Sequence, residues 1–429
     1  MRLLIRDVEK AMVEKPEEPI ELAGWVYRIR ELGGLNFVIL RDRSGLIQLV
    51  VTEKPDLSLE SVIAITGIPV RNEKAPGGIE IQVHSVNCIS KADKDIPYRV
   101  NGDLSRIGLE TVLDNRLLSV RNPAIQAIFK VQSTIIEAFS TYLRAQDFTE
   151  IRSSKLVGSG TEGGTALFAV EYFNKKLYLA QSPQFYKQTM VACGMERVFE
   201  VAQVYRAEKH DTPRHLNEYV SLDLEMAFIE SEKDLIELEK AVLIHVFTEV
   251  LRKNSSELAL HKATVPDAAA VERSPIISYE EALRIAIKES GNARLFDISP
   301  EVERLLCEWS MREYQSPLVF VNEFPRRHRP FYTYPLGDTL TMSFDTLFRG
   351  LEITSGSRRQ HDYQAFIEAL PRFGLKPEDM PGYLTLLKYG CPPHGGFAIG
   401  CERLTQKILG LSSVKEASLF PRDRKRTNP

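Results

Sequence analysis

Apolar and polar residues alternate with a period of two over much of residues 1–90, the spacing of half-buried strands. Ile20-Glu21-Leu22-Ala23-Gly24-Trp25-Val26-Tyr27-Arg28-Ile29 alternates, as does Phe37-Val38-Ile39-Leu40. The turn Asp42-Arg43-Ser44-Gly45 joins the latter to Leu46–Val51, and Ala75-Pro76-Gly77-Gly78 separates two further runs, Ser61–Val70 and Ile79–Val86. Five short strands predict an all-β barrel of the oligonucleotide-binding or the SH3-like kind.

Residues 91–115 are polar without a clear period and read as a hinge or linker. The pattern then changes to 3–4-residue spacing. Asn122-Pro123 offers a helix start, and Ile128, Val131, Ile135, Phe139 and Tyr142 form one apolar stripe, predicting a long helix that ends near Ala145. A strand at Phe148–Ile151 follows. Val198–Tyr205 and Val220–Met226 alternate again and predict a hairpin with a long loop, Arg206 to Tyr219. Loops of that length in compact domains are usually functional. A second amphipathic helix spans Ser231–Lys253, with Ser231 and Asp234 as its cap pair. Ser278-x-x-Glu281 and Ser299-Pro300-Glu301 open two more helices, predicting a helical insertion at 254–315. Strands return at Leu318–Val321, Met342–Arg349 and Leu351–Thr354, and Gly396–Ile399 runs into a helix, Glu402–Leu409, stopped by Gly410. The expected organisation is a barrel (1–90), a linker (91–115) and an α+β domain on an antiparallel sheet (116–429).

With 429 residues the chain is too long for one ordinary core. Hydrophobic residues make up 43% and charged residues 26%, and 55 Lys+Arg stand against 58 Asp+Glu, a net charge of −3. A disordered or strongly basic coating protein is excluded. A nucleic-acid binder is not, because phosphate contact needs only a local basic surface. The cysteines (Cys88, Cys193, Cys307, Cys391, Cys401) are scattered and none form C-x-x-C, so neither a zinc site nor a disulfide framework is expected. Met1–Val13 has no signal-like apolar core, and no run of about 18 apolar residues occurs, so a cytoplasmic protein without a membrane span is expected.

Three segments carry chemistry. Gly158-Ser-Gly160-Thr-Glu-Gly163 matches G-x-G-x-x-G, but no helix pattern follows it, so a dinucleotide site is not indicated. A Gly-rich lid carrying Glu162 is the better reading. No phosphate-binding G-x-x-x-x-G-K-[ST] loop occurs. In the long hairpin loop, Arg206 and Glu208 are alternate positions leaving a strand and share a face, over which Arg214-His215 can fold. Cations on a rigid strand pair suit a polyphosphate or a carboxylate. In Gly395-Gly396-Phe397-Ala398-Ile399-Gly400-Cys401-Glu402-Arg403, Arg403 falls in the first turn of a helix, where the dipole disfavours a cation by about 0.3–1 kcal/mol, so it calls for an anionic partner.

Together these segments resemble the class II aminoacyl-tRNA synthetases, and within them the archaeal type of aspartyl-tRNA synthetase, across essentially the whole chain. The matching blocks are Phe148-Thr149-Glu150-Ile151, Gln181-Ser182-Pro183-Gln184-Phe185-Tyr186-Lys187, the Arg206–Glu218 loop, Gly350-Leu351-Glu352-Ile353-Thr354-Ser355-Gly356 and Gly400-Cys401-Glu402-Arg403. The resemblance implies an anticodon-binding barrel, ATP and Mg²⁺ as reaction partners, L-aspartate as the amino acid, tRNA as acceptor and a homodimer. Arg206 would clamp the α-carboxylate and the α-phosphate, and Arg403 would lie against the adenine ring and γ-phosphate. Glu208, Arg214, His215 and Leu216 would hold the base and the bent triphosphate, and Gly400, Cys401 and Glu402 would line that pocket. Glu352 and Ser355 would hold Mg²⁺. Glu162, Ser182 and Gln184 would receive the α-ammonium, and Lys187 and Arg359 would face the side-chain carboxylate. Sibling asparaginyl enzymes carry an apolar residue where Lys187 stands, which opposes an asparagine-activating reading. A catalytically idle paralogue that binds RNA or senses an amino acid is opposed by the presence of Arg206, Glu352 and Arg403.

In the barrel, Phe37 would stack an anticodon base, and Gln48 and Glu80 would bond base edges. Relaxed enzymes, which charge tRNA-Asn as well as tRNA-Asp, tend to have His and Pro where strict ones have Trp and Lys. Here the two positions are Tyr27 and Pro76; Pro76 favours the relaxed form, and Tyr27 matches neither. A relaxed enzyme implies an amidotransferase that converts Asp-tRNA-Asn to Asn-tRNA-Asn. Two positions and the tail depart from the family pattern. Ser154 replaces a proline associated with the dimer interface, Arg358 is expected to add a third cation beside the aspartate pocket, and the tail Arg424-Lys425-Arg426-Thr427-Asn428-Pro429 differs from the usual ending.

Overall fold

A computed structural model describes residues 2–428 apart from 33–34, 53–55, 104–105, 161–166 and 209–210. The chain forms two compact units, Met1–Asn122 and Pro123–Pro429.

In the first unit, β1 (Ile20–Leu32), β2 (Leu35–Asp42), β3 (Gly45–Val51), β4 (Val62–Arg71) and β5 (Ile79–Ser90) close into a barrel in the order β1-β2-β3-β5-β4. The closing pair, β3 and β5, is parallel and the others antiparallel. This is the oligonucleotide-binding kind of closure, one of the two alternatives the alternation allowed. Leu22, Val26, Val38, Leu40, Ile47, Leu49, Ile63, Ile65 and Ile81 fill the interior. The polar residues between them face outward. Residues ahead of β1 are not all extended, as Val8–Glu14 is a helix whose Val8 joins the barrel core. The polar stretch 91–115 is also not wholly irregular: Leu109–Asp114 is helical, and its Val112 and Leu113 are buried.

The second unit is built on a sheet that, among the described residues, has eight strands. The strand order is 276–278, 318–322, 343–348, 351–358, 394–400, 218–227, 197–205, 149–150. The six central strands are antiparallel, but both edge strands pair in parallel. The expected antiparallel sheet is therefore mixed at its edges. The segment 254–315 is not a purely helical insertion, because Ile276–Ser278 forms one edge of the sheet. Val302 and Leu306 of the helix Pro300–Tyr314 pack against Val319, Val321 and Leu347 of the sheet. Three helices, Pro123–Ala145, Glu232–Lys253 and Cys401–Leu409, supply Val131, Phe139, Leu235, Val246 and Leu404 to one core with Phe199, Leu222, Leu224, Phe397 and Ile399.

Strand alternation fixes what the other face carries. Leu222 and Leu224 enter the helical core, so Ser221, Asp223 and Glu225 face the opposite way. Phe397 and Ile399 do the same, which leaves Gly396, Ala398 and Gly400 on the open face. There Gly396 is required sterically: a β-carbon would lie 2.1 Å from the Leu224 carbonyl oxygen and 2.3 Å from Glu225 Oε2.

Candidate active site

The polar face of the sheet floors a cavity of about 200 Å³. Ser182, Gln184 and Lys187 reach it from the start of the short helix Gln184–Met190. Arg206, Glu208, Arg214, His215 and Leu216 reach it from the hairpin loop. Glu352, Ser355 and Arg359 come from or just beyond the strand Leu351–Arg358, and Gly400, Glu402 and Arg403 from the junction of the strand His394–Gly400 with its helix. Glu162 lies outside the described residues.

At one end of the cavity two cations and two carboxylates interlock below the solvent. Lys187 Nζ lies 2.8 Å from Asp223 Oδ1 and 3.3 Å from Glu225 Oε2. It also donates to the Leu224 carbonyl at 3.2 Å. Arg359 donates from Nε to Glu225 Oε1 at 2.8 Å and from Nη2 to the Gly396 carbonyl at 3.0 Å. The Lys187 side chain is only 1% exposed, so its ammonium is held by partners and not by water. Burial pushes the Glu225 carboxyl up, but Arg359 and Lys187 outweigh it and keep it below its ordinary value. The two cations are thus held by carboxylates in a fixed frame, beside which further donors are left over. One such donor is Gln184 Nε2, buried and without a hydrogen-bond partner among the described residues. Arg358 does not join this group. Its guanidinium lies 4.0 Å from the Tyr334 ring centroid and donates to the Glu230 carbonyl, because alternation along the strand sends it away from Ser357 and Arg359.

The other end is a set of crossed ion pairs. Arg403 donates to the Glu352 carbonyl at 2.9 Å and to its Oε1 at 3.3 Å, so the anionic partner its helix position calls for is Glu352. Arg214 pairs with Glu303 at 2.6 Å, and the same Glu303 accepts from the Glu352 amide. The Arg206 guanidinium stands 5.5 Å from the Tyr219 ring centroid. Within the loop, Thr212 Oγ1 and His215 Nδ1 are 2.6 Å apart. Glu402 accepts from the Val220 amide at 3.0 Å, and burial pushes its carboxyl up to about 8. Cys401, expected to line this pocket, does not: it is fully buried in the helical core, on the far side of the helix start from Glu402 and Arg403.

Sequence reasoning missed four charged residues here. Asp223 and Glu225 are the carboxylates of the buried quartet, and Glu303 is the partner of Arg214. The fourth, Asp345, is paired across the strands with Ser355 and lies 2.9 Å from Arg329. Burial, and then the charge of Glu352, raise its carboxyl above the ordinary value. The available signal for Asp223 and Glu225 was their period-two spacing in an otherwise apolar strand.

The barrel carries a separate polar face. Phe37, Gln48 and Glu80 stand on adjacent strands, partly exposed on the outer side. Gln48 pairs in register with Glu80 and donates to its Oε2 at 2.9 Å, and Asn72 donates to the same oxygen at 2.8 Å. Tyr27 sits at a bulge in β1, with the Arg41 guanidinium 5.4 Å from its ring centroid. Pro76 is exposed in the turn ahead of β5.

Residues 108–424 match the model of class II tRNA synthetases (D, K and N), and residues 20–89 match that of the OB-fold nucleic acid binding domain. The chain is 47% identical, over the full length of both, to the aspartate–tRNA(Asp/Asn) ligase of Thermus thermophilus. It is 37% identical to the aspartate–tRNA(Asp) ligase of Thermococcus kodakarensis, over 96% of each chain. The chain belongs to the class II aminoacyl-tRNA synthetases, in the aspartyl branch. Among solved structures, the asparaginyl-tRNA synthetase of Pyrococcus horikoshii complexed with asparaginyl-adenylate superposes with a TM-score of 0.90 at 31% identity, over all of both chains. The fold is therefore shared by aspartyl and asparaginyl enzymes, so the difference between the two branches lies in the pocket and not in the fold. Among the described residues, no helix of the synthetase is long and apolar enough to cross a membrane.

Proposed function

We propose that this synthetase activates L-aspartate with ATP and transfers it to both tRNA-Asp and tRNA-Asn. The observation that carries the amino-acid assignment is Lys187, buried in the cavity with Arg359 in a frame built by Asp223 and Glu225. An aspartate side chain would accept from those two cations. An asparagine amide brings no negative charge to match those two cations, and a site built on charged donors rejects such an analogue.

In the proposed activation step the aspartate α-carboxylate attacks the α-phosphorus of ATP in line. One P–O bond forms as the α–β anhydride bond breaks, and pyrophosphate leaves. The residues here need only neutralise and align, which is the larger part of such catalysis. Arg206 would bridge the carboxylate and the α-phosphate, Arg214, His215 and Arg403 would hold the remaining phosphates, and Ser182 and Gln184 would orient the α-ammonium. Glu208, Leu216, Gly400 and Glu402 would form the nucleotide pocket. Glu162 belongs to the same amino-acid site in this reading. In the second step a ribose hydroxyl at the tRNA 3′ end attacks the adenylate carbonyl and AMP leaves.

Glu352 and Ser355 would offer oxygen donors to Mg²⁺, and Asp345 would add a third. Its Oδ1 is buried and has no hydrogen-bond partner among the described residues, a fit for a hard cation that brings its own charge. When bound, Mg²⁺ would screen the triphosphate.

Charging of both tRNAs is supported by the Thermus relative, whose name gives both, and by Pro76 in the barrel. Phe37, Gln48 and Glu80 would read the anticodon, with Tyr27 and Pro76 setting its scope. The expected assembly is a homodimer. An amidotransferase acting on Asp-tRNA-Asn would complete the route to Asn-tRNA-Asn.

ATP–pyrophosphate exchange tests the amino-acid assignment. Exchange driven by aspartate should fall about 10- to 150-fold in Lys187→Leu, since a charge-assisted bond is worth about 1.5–3 kcal/mol. Exchange driven by asparagine in the unmodified enzyme would overturn it.

A further inference from the structure

The loop 206–217 is not carried by its two strands alone. Beyond the helix Cys401–Leu409 the chain makes a short turn, Val414–Ala417, held by a capping box between Ser413 and Glu416. Lys415 leaves this turn with its side chain 7% exposed, and its ammonium lies 2.5 Å from Asp211 Oδ1 of the loop and 2.9 Å from Asp423 Oδ2 of the tail. Asp423 is itself fixed by the backbone amides of Lys425 and Arg426, at 2.8 and 2.9 Å, and by the Arg426 side chain at 2.7 Å. Two backbone bonds run alongside. Val414 donates to the Pro213 carbonyl and Asn217 to the Arg422 carbonyl, both at 2.9 Å. Loop, turn and tail are therefore sewn together around one ammonium.

We propose that Lys415 is a positioning residue for nucleotide binding: it sets the pose of Arg214, His215 and Leu216 by tying Asp211 to the C-terminal tail. This rests on the reading that the loop holds ATP. Lys415 does not line the cavity, whereas its neighbour Val414 and the loop residues do, so its influence passes through the loop. A long hairpin loop is costly to order, and a nearly buried ammonium with two carboxylates supplies strong, directional bonds that lower the ordering left for the ligand to impose.

The test uses the full-length enzyme in ATP–pyrophosphate exchange with Lys415→Met, Asp211→Asn, their combination and Lys415→Arg. KM for ATP should rise about tenfold in each single variant, the cost of a lost charge-assisted bond, while KM for aspartate stays within about twofold. The double variant should be no worse than Lys415→Met, as for two partners in one contact, and Lys415→Arg should recover most of the loss. An unchanged KM for ATP, or parallel rises in both KM values, overturns the proposal. Should Lys415→Met fail to fold, Asp211→Asn decides alone, because Asp211 is exposed. His215→Ala separates the two levels. If it raises KM for ATP while the Lys415 and Asp211 variants do not, the tether falls and the loop reading stands. If it too leaves KM for ATP unchanged, the loop reading falls and the tether with it.

Discussion

Lys187 shows what a buried charge needs in order to be useful. An ammonium removed from water is costly unless paired, and Asp223 and Glu225 provide that pairing from the floor of the cavity. A different buried group lies beneath the sheet. Glu239, on the helix Glu232–Lys253, accepts from Thr346 Oγ1 at 2.8 Å, and burial pushes its carboxyl up to about 8. A carboxyl raised in the folded state favours folding while both states hold the proton. That contribution is lost as pH rises from the ordinary value of 4.5 through about 8, because the unfolded chain releases its proton first. Thermal unfolding measured from pH 5 to pH 9 should therefore show Tm falling with pH, and Glu239→Gln should flatten that fall and be the more stable form at pH 9. An identical pH dependence in the two proteins would refute the assignment. Residues of this kind were the least legible in the sequence. The cations Lys187, Arg214 and Arg359 stand in recognisable motifs. Their carboxylate partners Asp223, Glu225 and Glu303 sit in otherwise ordinary strand and helix patterns, and period-two spacing says that two residues share a face without saying which face.

Elements were legible in proportion to their length and their caps. The helices Pro123–Ala145 and Glu232–Lys253 carry sustained stripes, and the second has a complete capping box in which Ser231 accepts from the Lys233 amide and Asp234 reaches back to the Ser231 amide. Ser231→Ala should cost about 1 kcal/mol in chemical denaturation with an unchanged m-value. A cost near zero would mean that packing against the sheet alone holds this helix end. Short elements escaped: the helices Val8–Glu14, Tyr363–Ala369 and Pro381–Lys388 each span about two turns, too few to establish a period. The edge strand Ile276–Ser278 escaped because three residues carry no alternation, and its place in the sheet is fixed by long-range pairing with Phe320–Asn322. Arg358 was misread because a strand residue next to a pocket residue points the other way, onto Tyr334.

At the scale of the molecule, two compact units divide the chemistry. The cavity and all of its described lining belong to Pro123–Pro429, whereas the polar face with Phe37, Gln48 and Glu80 belongs to Met1–Asn122. A fragment beginning at Pro123 should retain aspartate-dependent exchange, with KM for aspartate within about threefold of the full chain, and should lose most tRNA charging. In the full chain, Glu80→Ala should lower tRNA charging and leave exchange untouched. A net charge of −3 is compatible with this, because phosphate contact needs a local basic surface and not a basic average. The proposed ligase puts aspartate on two tRNAs. Its most direct test is to incubate the purified enzyme with ATP, Mg²⁺ and either labelled aspartate or labelled asparagine, with pure tRNA-Asp and tRNA-Asn in separate reactions. Aspartate on both tRNAs and asparagine on neither is the expected result; asparagine on tRNA-Asn, or aspartate on tRNA-Asp alone, would refute it.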